Sequence, residues 1–154
     1  WKVIQALNAI QFEGIESIVL VGSSNPNYEK LQVAVQESET MITLQHNVTD
    51  MPKVMAWADI AITAGGSTCW ELAFMGLPSL AITLAENQRQ SVTTLHEMKV
   101  ISSMGWHENL GSDDILLNLR QLIKEKNKRE NMAYRARKIV DGGGARRVLN
   151  LLQD

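Results

Sequence analysis

The sequence predicts one α/β domain in which a parallel sheet of about five strands is covered on both faces by helices. Short runs of β-branched and other apolar residues alternate with segments of helical periodicity. Strands that alternate with helices form parallel sheets, and unbroken apolar runs are typical of strands buried on both faces. The chain has 154 residues without an internal repeat or linker, which is the size of a single domain.

The first half of the chain is predicted to contain three helices and three strands. Ile4, Leu7 and Ile10 recur at helical spacing, and Gly14 follows them as a helix end. Pro52 is suited to the first turn of a helix. The predicted helices are 2–11, 28–38 and 51–58, and the predicted strands are 17–21, 41–44 and 59–63.

The second half continues the alternation. Gly76 is predicted to close a helix that starts after the pair Gly65-Gly66, and Ser112 is predicted to cap a later helix. Two short apolar runs predict the remaining strands. The predicted helices are 67–75, 88–98, one from Ser112 onward, 128–140 and 145–152, and the predicted strands are 80–84 and 100–103.

The turn Gly65-Gly66-Ser67-Thr68 is the strongest local signal, because a buried strand ends there and a helix begins. The first N–H groups of a helix lack intrahelical partners and lie at the positive end of its dipole. Glycines let a phosphate approach the backbone, and the Ser67 and Thr68 hydroxyls add donors. The pattern therefore predicts an anion site. The same residues would equally serve as a tight turn with an N-cap, with Glu71 as a favourable first-turn charge.

Several other function classes have little support. The turn lacks the Gly-Lys-Ser/Thr of ATP-binding loops and the Gly-x-Gly-x-x-Gly of dinucleotide folds. A net charge of −2 predicts no nucleic-acid partner, and no apolar run reaches the roughly 18 residues of a membrane span. The three histidines are dispersed, so we expect no metal site. No cofactor is expected. The single cysteine, Cys69, fits a reducing cytoplasm.

The chain resembles one enzyme family over nearly its whole length. The central motif is AGGSTCWELAFMGLPSL at 64–80 with AENQ at 85–88, supported by VGSSNPN at 21–27, GWHENL at 105–110 and VDGGGARRV at 140–148. These stretches resemble the UDP-2,4-diacetamido-2,4,6-trideoxy-β-L-altropyranose hydrolase of pseudaminic acid synthesis and the SpsG-type spore-coat polysaccharide proteins. A more distant resemblance is to the peptidoglycan N-acetylglucosaminyl transferase, which has the glycosyltransferase B architecture of two Rossmann-like domains.

The resemblance implies a role for each matching residue. Gly65, Gly66, Ser67 and Thr68 match the family turn that receives the diphosphate, and Glu71 matches the acidic residue that holds the ribose hydroxyls. Asn87 and Gln88 match a polar pair that faces the sugar and the leaving diphosphate, whereas the loop His46-Asn47-Val48 occupies the position that accepts the uracil edge, largely through backbone groups. The expected partner is UDP or a UDP-sugar.

The resemblance also implies that the chain, 1–154, is the C-terminal nucleotide-sugar-binding half of a longer enzyme. A start at Trp1 inside a helical pattern, without an initiator methionine, is typical of such a segment. We expect the catalytic residues in the N-terminal half, which is absent here together with the first strand of this domain. The intact enzyme would release a sugar from UDP by hydrolysis. A UDP-dependent glycosyltransferase and a non-catalytic nucleotide-sugar-binding module are the alternatives.

Overall fold

The computed structural model describes residues 1–153, in which five strands alternate with helices. The strands are β1 (Glu16–Val21), β2 (Met41–His46), β3 (Ala61–Ala64), β4 (Ser79–Thr83) and β5 (Ser102–Trp106). The helices are α1 (Lys2–Asn8), α2 (Tyr28–Gln36), α3 (Met51–Trp57), α4 (Thr68–Met75), α5 (Glu86–Glu97), α6 (Ser112–Lys124), α7 (Lys126–Ile139) and α8 (Gly144–Leu151), with a 3₁₀ turn at His107–Asn109. The predicted fold class is confirmed.

All strand pairs are parallel, but they form two sheets. One sheet contains β1 and β2, and the other has the order β3-β4-β5. Within the described part of the chain, no ladder joins β1 to β3, so each of these strands has one unpaired edge. The expectation of a single sheet of about five strands is therefore corrected to two sheets of two and three strands.

One helix layer, formed by α1 and α6, packs against both sheets. Ala6 of α1 and Ile115 of α6 are buried in the same cluster as Leu80 of β4. Val19 of β1, in the two-stranded sheet, and Ile62 of β3, in the three-stranded sheet, both pack against this cluster. Because burial of apolar surface is the main favourable term in folding, this shared cluster holds the two sheets together, although no backbone hydrogen bond among residues 1–153 joins them.

The opposite side of the three-stranded sheet is covered by α4, α5 and α7. Cys69 and Ala73 of α4, Leu95 of α5 and Ala136 of α7 are buried around Ala81 of β4. Small residues on α4 and α7 allow the helices to approach closely. Strand β4 thus has core residues on both of its faces, and it positions the loops at its carboxyl end.

Strand β1 is less buried than its sequence predicts. Only Val21 of this strand is buried, whereas Leu20 is 37% exposed. A strand that is paired on both edges and covered on both faces would lose this exposure. The apolar run correctly predicts the strand, but its burial on both faces is wrong, because Val19 packs against a core cluster and Leu20, on the other face, packs against none in the described residues.

Several element ends differ from the predicted ones. Strand β2 extends through His46, and strand β5 ends three residues later than predicted. Helix α5 begins at Glu86. The N-cap of α6 is Gly111 rather than Ser112, and the Asp114 carboxylate accepts from the Gly111 N–H at 2.8 Å. No helix within residues 1–153 is both long and apolar enough to cross a membrane.

Candidate functional site

The turn between β3 and α4 is anchored to the three-stranded sheet. The Gly65 N–H donates a hydrogen bond of 2.9 Å to the Ile82 carbonyl of β4. The Cys69 N–H donates to the Gly66 carbonyl at 3.1 Å, and the Trp70 N–H donates to the Ser67 carbonyl at 2.9 Å. These bonds start α4 directly at the end of the strand, so the backbone of the turn has one defined conformation.

Three consecutive N–H groups of this turn are available to a ligand. Within the described part of the chain, no atom accepts from the N–H of Gly66, Ser67 or Thr68. The Ser67 side chain occupies the N-cap position but makes no capping hydrogen bond. The positive end of the α4 dipole therefore coincides with free donors, which is the usual arrangement of an anion site. The alternative of a plain N-cap does not account for the uncapped Ser67 hydroxyl.

The two glycines of the turn have different surroundings. A methyl group added at Gly65 would overlap Cγ2 of Val92 and lie 3.3 Å from Cβ of Gln88, both on α5. A methyl group added at Gly66 would have no neighbour within 4 Å. Gly65 is thus required for close packing against α5, and Gly66 leaves an open face beside the free N–H groups.

The first turn of α5 meets the glycine turn. The Gln88 Oε1 accepts from the Leu84 N–H at 2.9 Å, which orients the amide group at the carboxyl end of β4. Asn87 beside it is exposed and contributes both a donor and an acceptor. The structure therefore brings Gly65 and Gln88 together, as expected for residues that follow neighbouring parallel strands.

Glu71 lies in the first turn of α4, one turn from the free N–H groups. Its side chain is exposed and makes no ion pair within residues 1–153. A carboxylate without a protein partner at this position retains its full capacity to accept hydrogen bonds.

The loop predicted at His46-Asn47-Val48 belongs to the other sheet. His46 is the last residue of β2 rather than a loop residue, which corrects the predicted boundary. Its ring lies 4.4 Å from the Tyr28 ring, centroid to centroid. Asn47 has a φ of 56° and donates its N–H to the Val21 carbonyl at 3.2 Å, so the bend follows directly from the β1–β2 ladder. No hydrogen bond joins this loop to the glycine turn in residues 1–153.

Cys69 faces away from the open side of the turn. It is buried at 1% exposure, and its Sγ donates to the Ala64 carbonyl at 3.5 Å. Burial raises the pKa of the Cys69 thiol, because desolvation penalises the thiolate more than the backbone hydrogen bond at Cys69 favours it. A thiol in this environment is a packing group and not a nucleophile.

A cationic and aromatic cluster next to α5 was not predicted from the sequence. The Arg89 guanidinium lies 4.5 Å from the Trp106 ring centroid, and its Nε is 2.6 Å from Glu86 Oε2. The hydrogen bond from Arg89 lowers the pKa of Glu86, and the same bond raises the pKa of Arg89. The Trp106 Nε1–H donates to Glu108 at 3.2 Å. The sequence signal for this cluster was the spacing of Glu86 and Arg89, which are three residues apart on a helix and can therefore pair.

The glycine turn is an open surface rather than a closed cavity. Two cavities of the structure lie elsewhere, one beside His96 and Arg135 and one beside Trp1 and Asn25. The free N–H groups define what the turn can bind. No group of three or more His, Cys, Asp or Glu side chains suited to a metal ion occurs among the described residues.

The fold and the turn together define a Rossmann-like α/β domain with free amide donors at a helix N-terminus. The chain belongs to the family of the glycosyltransferase family 28 C-terminal domain, whose model matches residues 2–147. It is 24% identical over 155 residues to the spore coat polysaccharide biosynthesis protein SpsG of Bacillus subtilis, covering all of this chain and 45% of that protein.

Further similarity is to peptidoglycan transferases and to solved structures. The chain is 30% identical over 112 residues, 70% of its length and 30% of the relative's, to the UDP-N-acetylglucosamine--N-acetylmuramyl-(pentapeptide) pyrophosphoryl-undecaprenol N-acetylglucosamine transferase of Acetivibrio thermocellus. The chain thus spans less than half the length of these curated relatives.

Two crystal structures have the same fold. MurG of Acinetobacter baumannii superposes with a TM-score of 0.74 at 20% identity, over 97% of this chain and 46% of that one. HepE of Anabaena, in complex with UDP-glucose, superposes with a TM-score of 0.73 at 17% identity, over 92% of this chain and 40% of that one. These similarities confirm the predicted resemblance to the SpsG-type proteins and to the glycosyltransferase B architecture.

Proposed function

We propose that this chain is the donor-binding domain of a glycosyltransferase-family protein and that it binds the UDP part of a UDP-sugar. The observation that carries the proposal is the row of free N–H groups at Gly66, Ser67 and Thr68 on the positive end of α4. The family match supports it, and so do the UDP-glucose in HepE and the UDP-sugar in the name of the transferase relatives.

The diphosphate would lie on the open side of Gly66. Its oxygens accept hydrogen bonds from the three free N–H groups and from the Ser67 and Thr68 hydroxyls. Charge-assisted hydrogen bonds of this kind are stronger than those between neutral groups. The same donors stabilise negative charge that develops on UDP as the bond to the sugar breaks, which is how a binding turn contributes to catalysis.

The remaining candidate residues would surround the other parts of the ligand. Glu71 accepts hydrogen bonds from the two ribose hydroxyls, because its carboxylate has no protein partner. Asn87 and Gln88 face the sugar side, next to Gly65. The backbone of His46-Asn47-Val48 accepts the uracil edge from the neighbouring sheet, where the bend at Asn47 is exposed.

The acceptor of the sugar decides between two reactions of the complete protein. Transfer to another molecule is favoured by the family and by the names of the relatives. Hydrolysis, with water as acceptor, rests on the resemblance of the 64–88 motif to the pseudaminic acid hydrolase. In either case we assign the general base that activates the acceptor to an N-terminal domain. The single cysteine, Cys69, favours a cytoplasmic location. Product analysis of the complete protein distinguishes free sugar from a new glycoside.

We also propose that a strand preceding Trp1 lies between β1 and β3. The unpaired edges of these strands and their common packing against α1 and α6 support a strand at this place. A paired strand would satisfy both edges and join the two sheets. In the longer protein, the amide hydrogens of β1 and β3 should exchange more slowly than in this chain. Equal exchange rates in the two proteins would contradict this arrangement.

The nucleotide site is tested by calorimetric titration with UDP, using ADP and GDP as controls. We expect UDP to bind, Gly66→Asp to abolish binding through added bulk and negative charge, and Glu71→Ala to weaken it by about tenfold, or 1.4 kcal/mol. Glu97→Ala is the matched control, because Glu97 is an exposed carboxylate at the far end of α5. Circular dichroism verifies that each variant is folded. Unchanged UDP affinity in a folded Gly66→Asp variant would refute the proposal.

A further inference from the structure

A cavity of about 560 Å³ lies between the C-terminal end of α5 and the helix α7. Ser102, the first residue of β5, forms part of its lining. Because β3, β4 and β5 are parallel, this cavity is at the amino-terminal edge of the sheet, opposite the glycine turn. A ligand there would not overlap with a nucleotide on the turn.

Three cationic side chains and one histidine line the cavity, and no acidic side chain does. These residues are Lys99, Lys128, Arg135 and His96. Of these, Lys128 has a carboxylate partner, with its Nζ 3.3 Å from Glu125 Oε2. Lys99 and Arg135 make no ion pair within residues 1–153. Lys99 and Arg135 are thus two positive charges without a counter-charge among the described residues, and like charges repel one another.

The backbone at Lys99 is unfavourable for lysine. Its φ is 58°, in the left-handed region, directly after the C-cap residue Met98 of α5. Glycine is the usual residue at this position, because any side chain there is strained. Strained backbone conformations occur often at ligand-binding sites, and here the strained residue is a lysine that lines a cavity.

Neutral donors and an apolar floor complete the lining. The His96 Nδ1 accepts from the Ser103 N–H at 3.2 Å, which leaves the proton of the neutral ring on Nε2 as a donor. Asn131 contributes an amide group, and the floor contains the buried side chains of Ile101 and Met132. The volume is within the range of small-molecule sites, which is about 300–1,000 Å³.

We propose that this cavity binds a phosphate or diphosphate group whose ligand also has an apolar part. Arg135 is suited to bidentate contact with phosphate oxygens, and Lys99 and Lys128 are point charges around it. Phosphate binding relieves the repulsion between the basic side chains. The source of the group is either a free phosphorylated molecule or the headgroup of an anionic lipid.

The first experiment titrates the chain with inorganic pyrophosphate and, in parallel, with vesicles of phosphatidylglycerol. The Gly66→Asp variant serves as background in both arms, so that binding at the glycine turn does not contribute. We expect Lys99→Gly and Arg135→Gln each to weaken binding by at least about tenfold. Lys99→Arg should retain it, and so should the control Lys126→Gln on the exposed side of α7.

The stability of Lys99→Gly separates binding from folding. Removal of the left-handed lysine should keep or raise the midpoint of urea unfolding while binding is lost. Binding of pyrophosphate supports a free phosphorylated ligand, and binding of vesicles alone supports a lipid headgroup. The proposal is overturned if neither probe binds, if Lys99→Gly and Arg135→Gln leave binding unchanged, or if Lys126→Gln weakens it equally.

Discussion

The two sheets of this domain differ in how completely they are buried. In the three-stranded sheet, β4 has helices on both faces and strands on both edges, and Leu80 is 1% exposed. In the two-stranded sheet, β1 has one unpaired edge, and Leu20 is 37% exposed. Both strands have apolar sequences of similar length. Their difference shows that burial is decided by neighbouring elements rather than by the strand's own residues.

This difference divides the candidate site. The glycine turn and Gln88 belong to the well-packed sheet, and a hydrogen bond from Gly65 to Ile82 fixes the turn. The bend at Asn47 belongs to the less buried sheet and is held by one bond to Val21. Under the proposed function, the diphosphate binds a preorganised surface, whereas the base binds a part of the domain with lower local stability.

The largest expected effect compares Leu80→Ala with Leu20→Ala. Leu80→Ala should lower the free energy of unfolding by roughly 2–5 kcal/mol, because it leaves a cavity in a closed core. Leu20→Ala should cost less than about 1 kcal/mol, because its side chain already contacts solvent. Urea unfolding followed by circular dichroism measures both. Equal losses would mean that the two sheets are packed equally well.

The prediction of the fold from the sequence succeeded where a pattern is local. The apolar runs placed all five strands, and Gly76 was correctly predicted to close α4, where it has a φ of 68°. The division between β1 and β3 was not predicted from periodicity, because an apolar run does not specify its neighbour. The end of β2 at His46 was missed for a similar reason, since a polar residue can continue an exposed edge strand.

A second comparison concerns the two glycines, which look alike in sequence. Gly65→Ala should cost about 1–3 kcal/mol of stability, because the added methyl group would overlap Val92 of α5. Gly66→Ala should change stability by less than about 0.5 kcal/mol, because nothing lies within 4 Å of the new atom. Urea unfolding measures the stabilities, and calorimetry should show weaker UDP binding for Gly66→Ala. If Gly66→Ala lost stability but bound UDP normally, Gly66 would be a packing residue and not part of the binding surface.

The candidate site shows the same limit of sequence reasoning. The pattern identified Gly65 and Gln88 separately, and only their position after neighbouring strands suggested that they meet. The cluster of Arg89 with Trp106 was not predicted, because the last strand was expected to end at residue 103, before Trp106. The basic lining of the cavity beside α7 was not predicted, because a linear charge pattern does not reveal that Lys99 and His96 lie opposite the basic residues of this helix.

The smallest expected effect belongs to the less buried sheet. His46→Ala should lower the free energy of unfolding by about 0.5 kcal/mol, because its contact with Tyr28 is at the surface. UDP affinity should change less than about threefold, since the proposed contacts of this loop to the base use the backbone. Tyr28→Ala is the matched control, because it removes the same contact and leaves the imidazole in place. A large loss of UDP affinity in His46→Ala alone would mean that the imidazole itself contacts the uracil. The less buried sheet would then bind the ligand through a side chain and not through its backbone alone.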